Sequence, residues 1–205
     1  MPARFALFDL GRVLLDWEPA RLYDKIFDSE TKRDWFLENV CTMAWHTRHD
    51  AGETFADTRP DLIAKFPEYE IEIHAWSERW MEMFDGYIEG TPEIMDRLIA
   101  KGVPLYALSN MPIETWPWMQ HHFPYVLKFK HTVVSGAVKL VKPNADIYHH
   151  TLKMMADPTP DEVLFIDDSE KNISAADKLG FRTHLFRGAA GLERALVTEG
   201  LLTDS

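Results

Sequence analysis

A chain of 205 residues, 46% hydrophobic and 27% charged, has the length of one domain carrying a large insertion and the composition of an ordinary globular protein. Its 33 acidic against 22 basic side chains leave a net charge of −11, which argues against nucleic acid and anionic membranes as partners. One cysteine, Cys41, excludes an internal disulfide, and there is neither a signal-peptide pattern nor an apolar run of about 18 residues, so a cytoplasmic protein is expected.

Residues 4–8 are almost unbroken apolar, then come Asp9 and, two residues on, Gly11. Such a run, stopped by a turn signal, reads as a strand buried on both faces, hence a parallel sheet. Asp9 would stand at its carboxyl end, where open parallel sheets gather their function. A break at Asp16-Trp17-Glu18-Pro19 opens a stretch to about Gly86 with helical patterning and no convincing strand. A short helix is expected over 21–27 and a longer one over 31–44, with Ser29 or Thr31 as cap. A loop follows over 45–52, then a helix after Thr54 ended by Pro67, and a last helix over 70–84. Trp35, Trp45, Trp76 and Trp80 lie here, four of the seven tryptophans, enough aromatic surface for a small core.

Beyond Gly90 helix and strand alternate. Thr91 can cap a helix to Lys101, with Pro92 in its first turn and Gly102 past its end. Strands are expected over 103–108, ending at Ser109-Asn110, and over 131–135. A helix capped by Asn144 runs to about Met155. A strand over 162–166 ends in Asp167-Asp168, a helix stops at Gly180, and a last strand covers 182–186. The pattern predicts an α/β fold with a doubly wound parallel sheet, built from residues 1–16 and 87–205, with a small all-helical insertion at 17–86 over the strand ends.

Three strands thus end in polar groups: Asp9, Ser109-Asn110 and Asp167-Asp168. Lys142 lies on a later connection. Each has a plain structural reading: Ser109 and Asn110 as turn caps, Lys142 as a surface lysine, the acid pair as a helix N-cap and first-turn charge. Their joint placement at neighbouring strand ends is harder to explain that way. Three carboxylates brought within about 5 Å also repel one another unless a cation sits among them.

These residues resemble the motifs of the haloacid dehalogenase superfamily, over about 5–15, 103–110, 139–148 and 161–180. The resemblance implies a Rossmann-like core with a helical cap, and gives Asp9 the role of nucleophile. It makes Ser109, with Asn110, the binder of phosphoryl oxygens. Lys142, in Val-Lys-Pro-Asn, would neutralise nucleophile and substrate. Asp168 and Asp167 would hold Mg2+ together with Asp9 and the Gly11 carbonyl, and Asn172 could support the acids. The implied reaction is magnesium-dependent hydrolysis of a small phosphorylated metabolite through an aspartyl-phosphate, by a monomer or homodimer.

Gly11 departs from the usual phosphatase pattern, which has a second aspartate there as general acid and base, worth about 10²–10⁴-fold in rate. Members resembling this Asp-Leu-Gly start are assigned as sugar-phosphate phosphatases, and good leaving groups are expected to react best unless another group, such as His46, supplies the proton. Two other readings stay open: a 2-haloacid dehalogenase, which also lacks that aspartate but needs no metal, and a catalytically weak phospho-ligand-binding protein. Arg12 stands where the family often has glycine, and two readings of its side chain stay open: reaching the substrate or pointing to solvent. The stretch 45–52 is the best candidate to face the site, with His46 and Arg48 as substrate contacts; Trp116 and Trp118 could rim the entrance.

Overall fold

Side chains on alternate positions of the central strands go to two different faces, and both faces are buried. In this computed structural model, which describes residues 2–203, strand β1 (Phe5–Phe8) sends Ala6 and Phe8 into one cluster and Leu7 into another. Strands β4 (Leu105–Ser109) and β6 (Val163–Asp167) divide in the same way, with Ala107 and Ile166 on the first face and Leu108 and Phe165 on the second. Each large side chain removed from water in this way contributes about 1.5–3 kcal/mol. With β5 (His131–Val134) and β7 (Arg182–Leu185) the strands form one parallel sheet of order β5-β4-β1-β6-β7. The chain leaves β1 toward β4 and later returns past it to β6, so the strand order reverses beside β1. A crevice opens at such a switch point.

The inserted stretch holds α1 (Ala20–Tyr23), α2 (Glu30–Asn39), α3 (Met43–Asp50), α4 (Phe55–Lys65) and α5 (Glu70–Glu78). Ser29 accepts from the Lys32 N–H and caps α2; Thr54 and Asp57 form a reciprocal capping box on α4. The helix ends before Pro67, as expected, because the residue before proline avoids the helical region.

Expectations fail here in several places: the helix expected over 21–27 ends at Tyr23 and the one over 31–44 at Asn39. Residues 45–52 are not a loop: Thr42 accepts from the Trp45 N–H and starts α3, which runs to Asp50. The helix expected over 70–84 stops at Glu78, and β3 (Phe84–Tyr87) follows, pairing antiparallel with β2 (Leu15–Trp17). The insertion therefore stands on a two-stranded base and is not wholly helical. A three-residue strand shows no period, and its partner is some 70 residues away, so neither half announces the pairing.

Helix α6 (Thr91–Ala100) begins at Gly90, in a left-handed conformation, and not at a Thr91 cap. The buried Thr91 hydroxyl donates instead to the Val13 carbonyl at 3.0 Å, tying the helix to the turn after β1. Asn144 does precede α9 (Ala145–Met154), without a side-chain capping bond. Helices α7 (Trp116–His122), α8 (Ser135–Val138), α10 (Glu170–Lys178) and α11 (Ala189–Thr198) complete the layers. Gly136, in α8, permits a close crossing: a Cβ there would lie 2.7 Å from the Ile113 nitrogen and 3.2 Å from the His49 carbonyl oxygen. The carboxyl end of α3 is thereby seated against the core.

Candidate active site

Asp9 directly follows β1, Ser109 ends β4 and Asp167 ends β6, so the sheet order puts them side by side. Lys142 reaches them because Asn110 grips its backbone, donating to the Lys142 carbonyl at 3.0 Å and accepting its N–H at 2.9 Å. The Lys142 ammonium, its side chain 1% exposed, lies 3.0 Å from Asp9 Oδ1 and 2.7 Å from Asp167 Oδ2. It also donates to the Leu108 carbonyl at 2.9 Å, which occupies all three of its protons.

Asp167 is the most heavily held acid. Its Oδ1 accepts from the Ser169 N–H at 2.8 Å and from Asn172 Nδ2 at 3.0 Å, in addition to Lys142 on Oδ2. Asp9 Oδ1 accepts the Leu10 N–H at 2.7 Å as well as facing Lys142, and Asp9 Oδ2 has no hydrogen bond among the described residues. Asp168 is partly exposed, with its carboxylate toward the crevice. One oxygen from each of Asp9, Asp167 and Asp168 lies within 4.8 Å of the others.

Burial pushes the Asp9 carboxyl up to about 7; Lys142 opposes that shift and Asp167 adds to it. Asp168 is raised by the same causes, burial first and then Asp167. For Lys142 burial disfavours the charge, but Asp9 and Asp167 outweigh it and hold the ammonium above its usual range. One cation among three acids leaves an excess of negative charge, and a hard divalent ion with oxygen ligands fits that deficit.

These groups open into a cavity of about 240 Å³, lined from the core by Asp9, Gly11, Arg12, Ser109, Lys142 and Asp168. Helix α3 forms its roof with Met43, His46, Thr47 and Asp50. An apolar recess adjoins it, sharing Gly11, Trp17, His46 and Ser109 and adding Leu15, Trp80, Phe84 and Met119.

The sequence expectations separate in detail. Arg12 lines the cavity, at φ 58°, the left-handed conformation that explains a common glycine at this position. Its guanidinium pairs with Glu18 at 2.8 Å. Asn110 reaches the cavity wall, but its amide is spent on Lys142 rather than on a ligand. His46 is buried among Trp17, Trp76 and Trp80, ring centroids 5.4–5.6 Å away. Burial, then His49, holds it neutral, down to about 3. Arg48, expected as a substrate contact, does not line the cavity: it turns to solvent and pairs with Glu53 at 2.5 Å, on the other side of α3. Helical spacing separates it from His46 and Asp50, which a loop reading could not show. Trp116 and Trp118 do not line the cavity either. Asp50 was missed; on a helix, the i, i+4 spacing from His46 is the signal that places both on one face.

The family model of the haloacid dehalogenase-like hydrolases matches residues 6–180, from β1 to the end of the turn after α10. The chain belongs to this family and is a hydrolase. Among curated proteins, a sesquiterpene phosphatase of Aspergillus oryzae is 28% identical over 176 residues, 85% of each chain. Among solved structures, a HAD family enzyme of Bacteroides thetaiotaomicron, in complex with magnesium and inorganic phosphate, is 25% identical with a TM-score of 0.68 over 91% of this chain and 95% of that one. An L-2-haloacid dehalogenase of Xanthobacter autotrophicus shares the fold, with a TM-score of 0.61 at 15% identity over 98% of this chain and 84% of that one. The described residues of this HAD-like hydrolase include no helix long and apolar enough to cross a membrane.

Proposed function

We propose that the protein is a magnesium-dependent phosphomonoester hydrolase working through an aspartyl-phosphate on Asp9. The observation that carries this reading is the acid cluster of Asp9, Asp167 and Asp168 around one lysine. A 2-haloacid dehalogenase would have to admit a carboxylate to that cluster without a cation, which the excess of negative charge opposes. The magnesium-and-phosphate complex of the Bacteroides relative and the phosphatase from Aspergillus support the same choice.

Asp9, Asp168 and the Gly11 carbonyl would hold the magnesium ion, with Asp167 as their fixed neighbour. Bound there, the ion would offset the negative charge of the cluster and of the phosphoryl group, which favours the ionised form of Asp9. Asp9 Oδ2, which no protein donor occupies, attacks phosphorus. Lys142 stabilises charge on Asp9, and Ser109 faces the phosphoryl oxygens from the end of β4. Asp167, clasped by Lys142, Asn172 and the Ser169 N–H, fixes the lysine and stays out of the reaction. The helical insertion acts as a cap, and α3 closes the cavity from above.

The leaving group would enter the recess. A sugar phosphate fits the resemblance, but Trp17, Trp80, Phe84 and Met119 favour an organic group with an apolar body. The indole N–H groups of Trp17 and Trp80 and Nδ1 of His46 have no hydrogen-bond partner among the described residues, so one acceptor oxygen on that group would be welcomed. The test is phosphate release from a panel of alkyl, terpenyl and sugar phosphates, with magnesium and with chelator. Magnesium-dependent turnover that Asp9→Asn abolishes supports the reading, and metal-independent halide release from 2-haloacids defeats it.

A further inference from the structure

The hydrolase lacks a carboxylate at Gly11, yet a second carboxyl faces the same cavity from above. We infer that Asp50, on the cap side of the cavity, is the proton donor to the leaving group and the base that activates water, in place of the residue absent at Gly11. The inference rests on the phosphatase reading.

Asp50 lines the cavity together with Asp9, Ser109 and Lys142, and is 5% exposed. Its Oδ1 is buried without a hydrogen bond among the described residues, and His46 Nε2 stands 3.4 Å away. A buried carboxyl kept for structure is normally hydrogen-bonded. Asp50 is also the last residue of α3, where the helix dipole disfavours an anion. The fold gains little from an acid in that place.

Its surroundings set its protonation. Burial, partly opposed by Lys142, pushes Asp50 up to about 7. His46 beside it is neutral, and across the cavity stand Arg12, Asp9 and Asp168. A carboxyl protonated near neutrality can give up a proton, whereas a neutral imidazole is a very weak acid. Asp50 is therefore a better donor than His46.

The step balances. Asp9 Oδ2 bonds to phosphorus, the bond from phosphorus to the ester oxygen breaks, and that oxygen takes the Asp50 proton and leaves as an alcohol. Water then attacks the aspartyl-phosphate: its hydroxyl goes to phosphorus, its proton goes to the Asp50 carboxylate, and Asp9 is released as a carboxylate with inorganic phosphate. Both groups return to their starting states.

The experiment compares wild type and Asp50→Asn on hexyl phosphate, whose alkoxide needs a proton, and on 4-nitrophenyl phosphate, whose phenolate does not. Asp50→Asn should lower kcat/KM for hexyl phosphate by about 10²–10⁴-fold and for 4-nitrophenyl phosphate by less than about threefold. With the aryl ester kcat should fall, after a burst of one nitrophenolate per enzyme, because water is no longer activated. Gly11→Asp added to Asp50→Asn should restore hexyl phosphate hydrolysis, which repair of a purely structural defect would not do. Equal losses in kcat/KM on both esters, or an unchanged rate on hexyl phosphate, overturn the inference. In either case a wild type that is phosphorylated on Asp9 leaves the phosphatase reading standing; a wild type that releases no phosphate from either ester removes that reading and the inference with it.

Discussion

Asn110 and Lys142 are joined backbone to side chain, 32 positions apart, by two hydrogen bonds of 2.9 and 3.0 Å. The pair explains how a lysine on an irregular connection comes to lie within 3.0 Å of Asp9. Asn110→Ala should therefore act on Lys142: kcat should drop about 10-fold or more, as small displacements of positioned groups do, with KM changing less. A rise in KM alone would return Asn110 to direct substrate binding.

The two neighbouring acids should behave in opposite ways. Asp168→Asn should remove the rise in melting temperature that magnesium gives, a rise worth about 2.7 kcal/mol at a hundred times Kd, and leave the metal-free protein as stable as before. Asp167→Asn should destabilise the metal-free protein by about 1–3 kcal/mol, because it weakens the hydrogen-bonded clasp on a lysine 1% exposed that keeps Asp9 as its remaining charge partner. Thermal melts with and without magnesium distinguish the two.

Gly11 tolerates a side chain. Its φ is outside the left-handed range, and a Cβ there would meet no atom within 4 Å. Gly11→Asp alone should fold, with a melting temperature lowered by a few degrees at most by the added charge beside three acids, a loss that magnesium should reduce. Arg12 is the reverse case. At φ 58° it bears a left-handed cost of about 1–2 kcal/mol, against at most about 1 kcal/mol from its exposed pair with Glu18. Arg12→Gly should raise the melting temperature by a few degrees, and calorimetry reads it directly.

Asp50 gives a pH signature. Its value in the folded chain, about 7, lies above the 3.8 of an exposed aspartate, so the folded state keeps a proton that the unfolded chain loses. Its contribution is most favourable below the unfolded value and is lost as pH rises through the folded one. Relative to Asp50→Asn, the wild type should lose about 2–3 kcal/mol in urea unfolding between pH 5 and pH 7, at about 1.4 kcal/mol per pH unit. A gap that stays constant across this range would place Asp50 at an ordinary value.

The sheet was legible because β1, β4 and β6 are short apolar runs each closed by a polar residue, and Asp9, Ser109, Asp167 and Asp168 were legible as that punctuation, whereas Lys142, on an irregular connection, stood out only through the family resemblance. The roof was not. Whether 45–52 is loop or helix turns on the Thr42 cap, and only the helix puts His46 and Asp50 on one face and Arg48 on the other. The role of Asn110 was hidden for another reason: a side chain that holds a distant backbone looks, in the sequence, like one that holds a ligand.

Gly136 carries a final consequence. Its missing side chain lets α8 pass against Met111, Ile113 and the His49 carbonyl together, so the seating of the roof on the segment after β4 depends on the absence of one methyl group. Enlarging that residue would act like a shim under a hinge. It would press both ways at once, on Met111 and Ile113 just after Ser109 and Asn110 as well as on the end of α3 that carries Asp50, so the spacing of roof and floor could be tuned from a position outside the cavity lining.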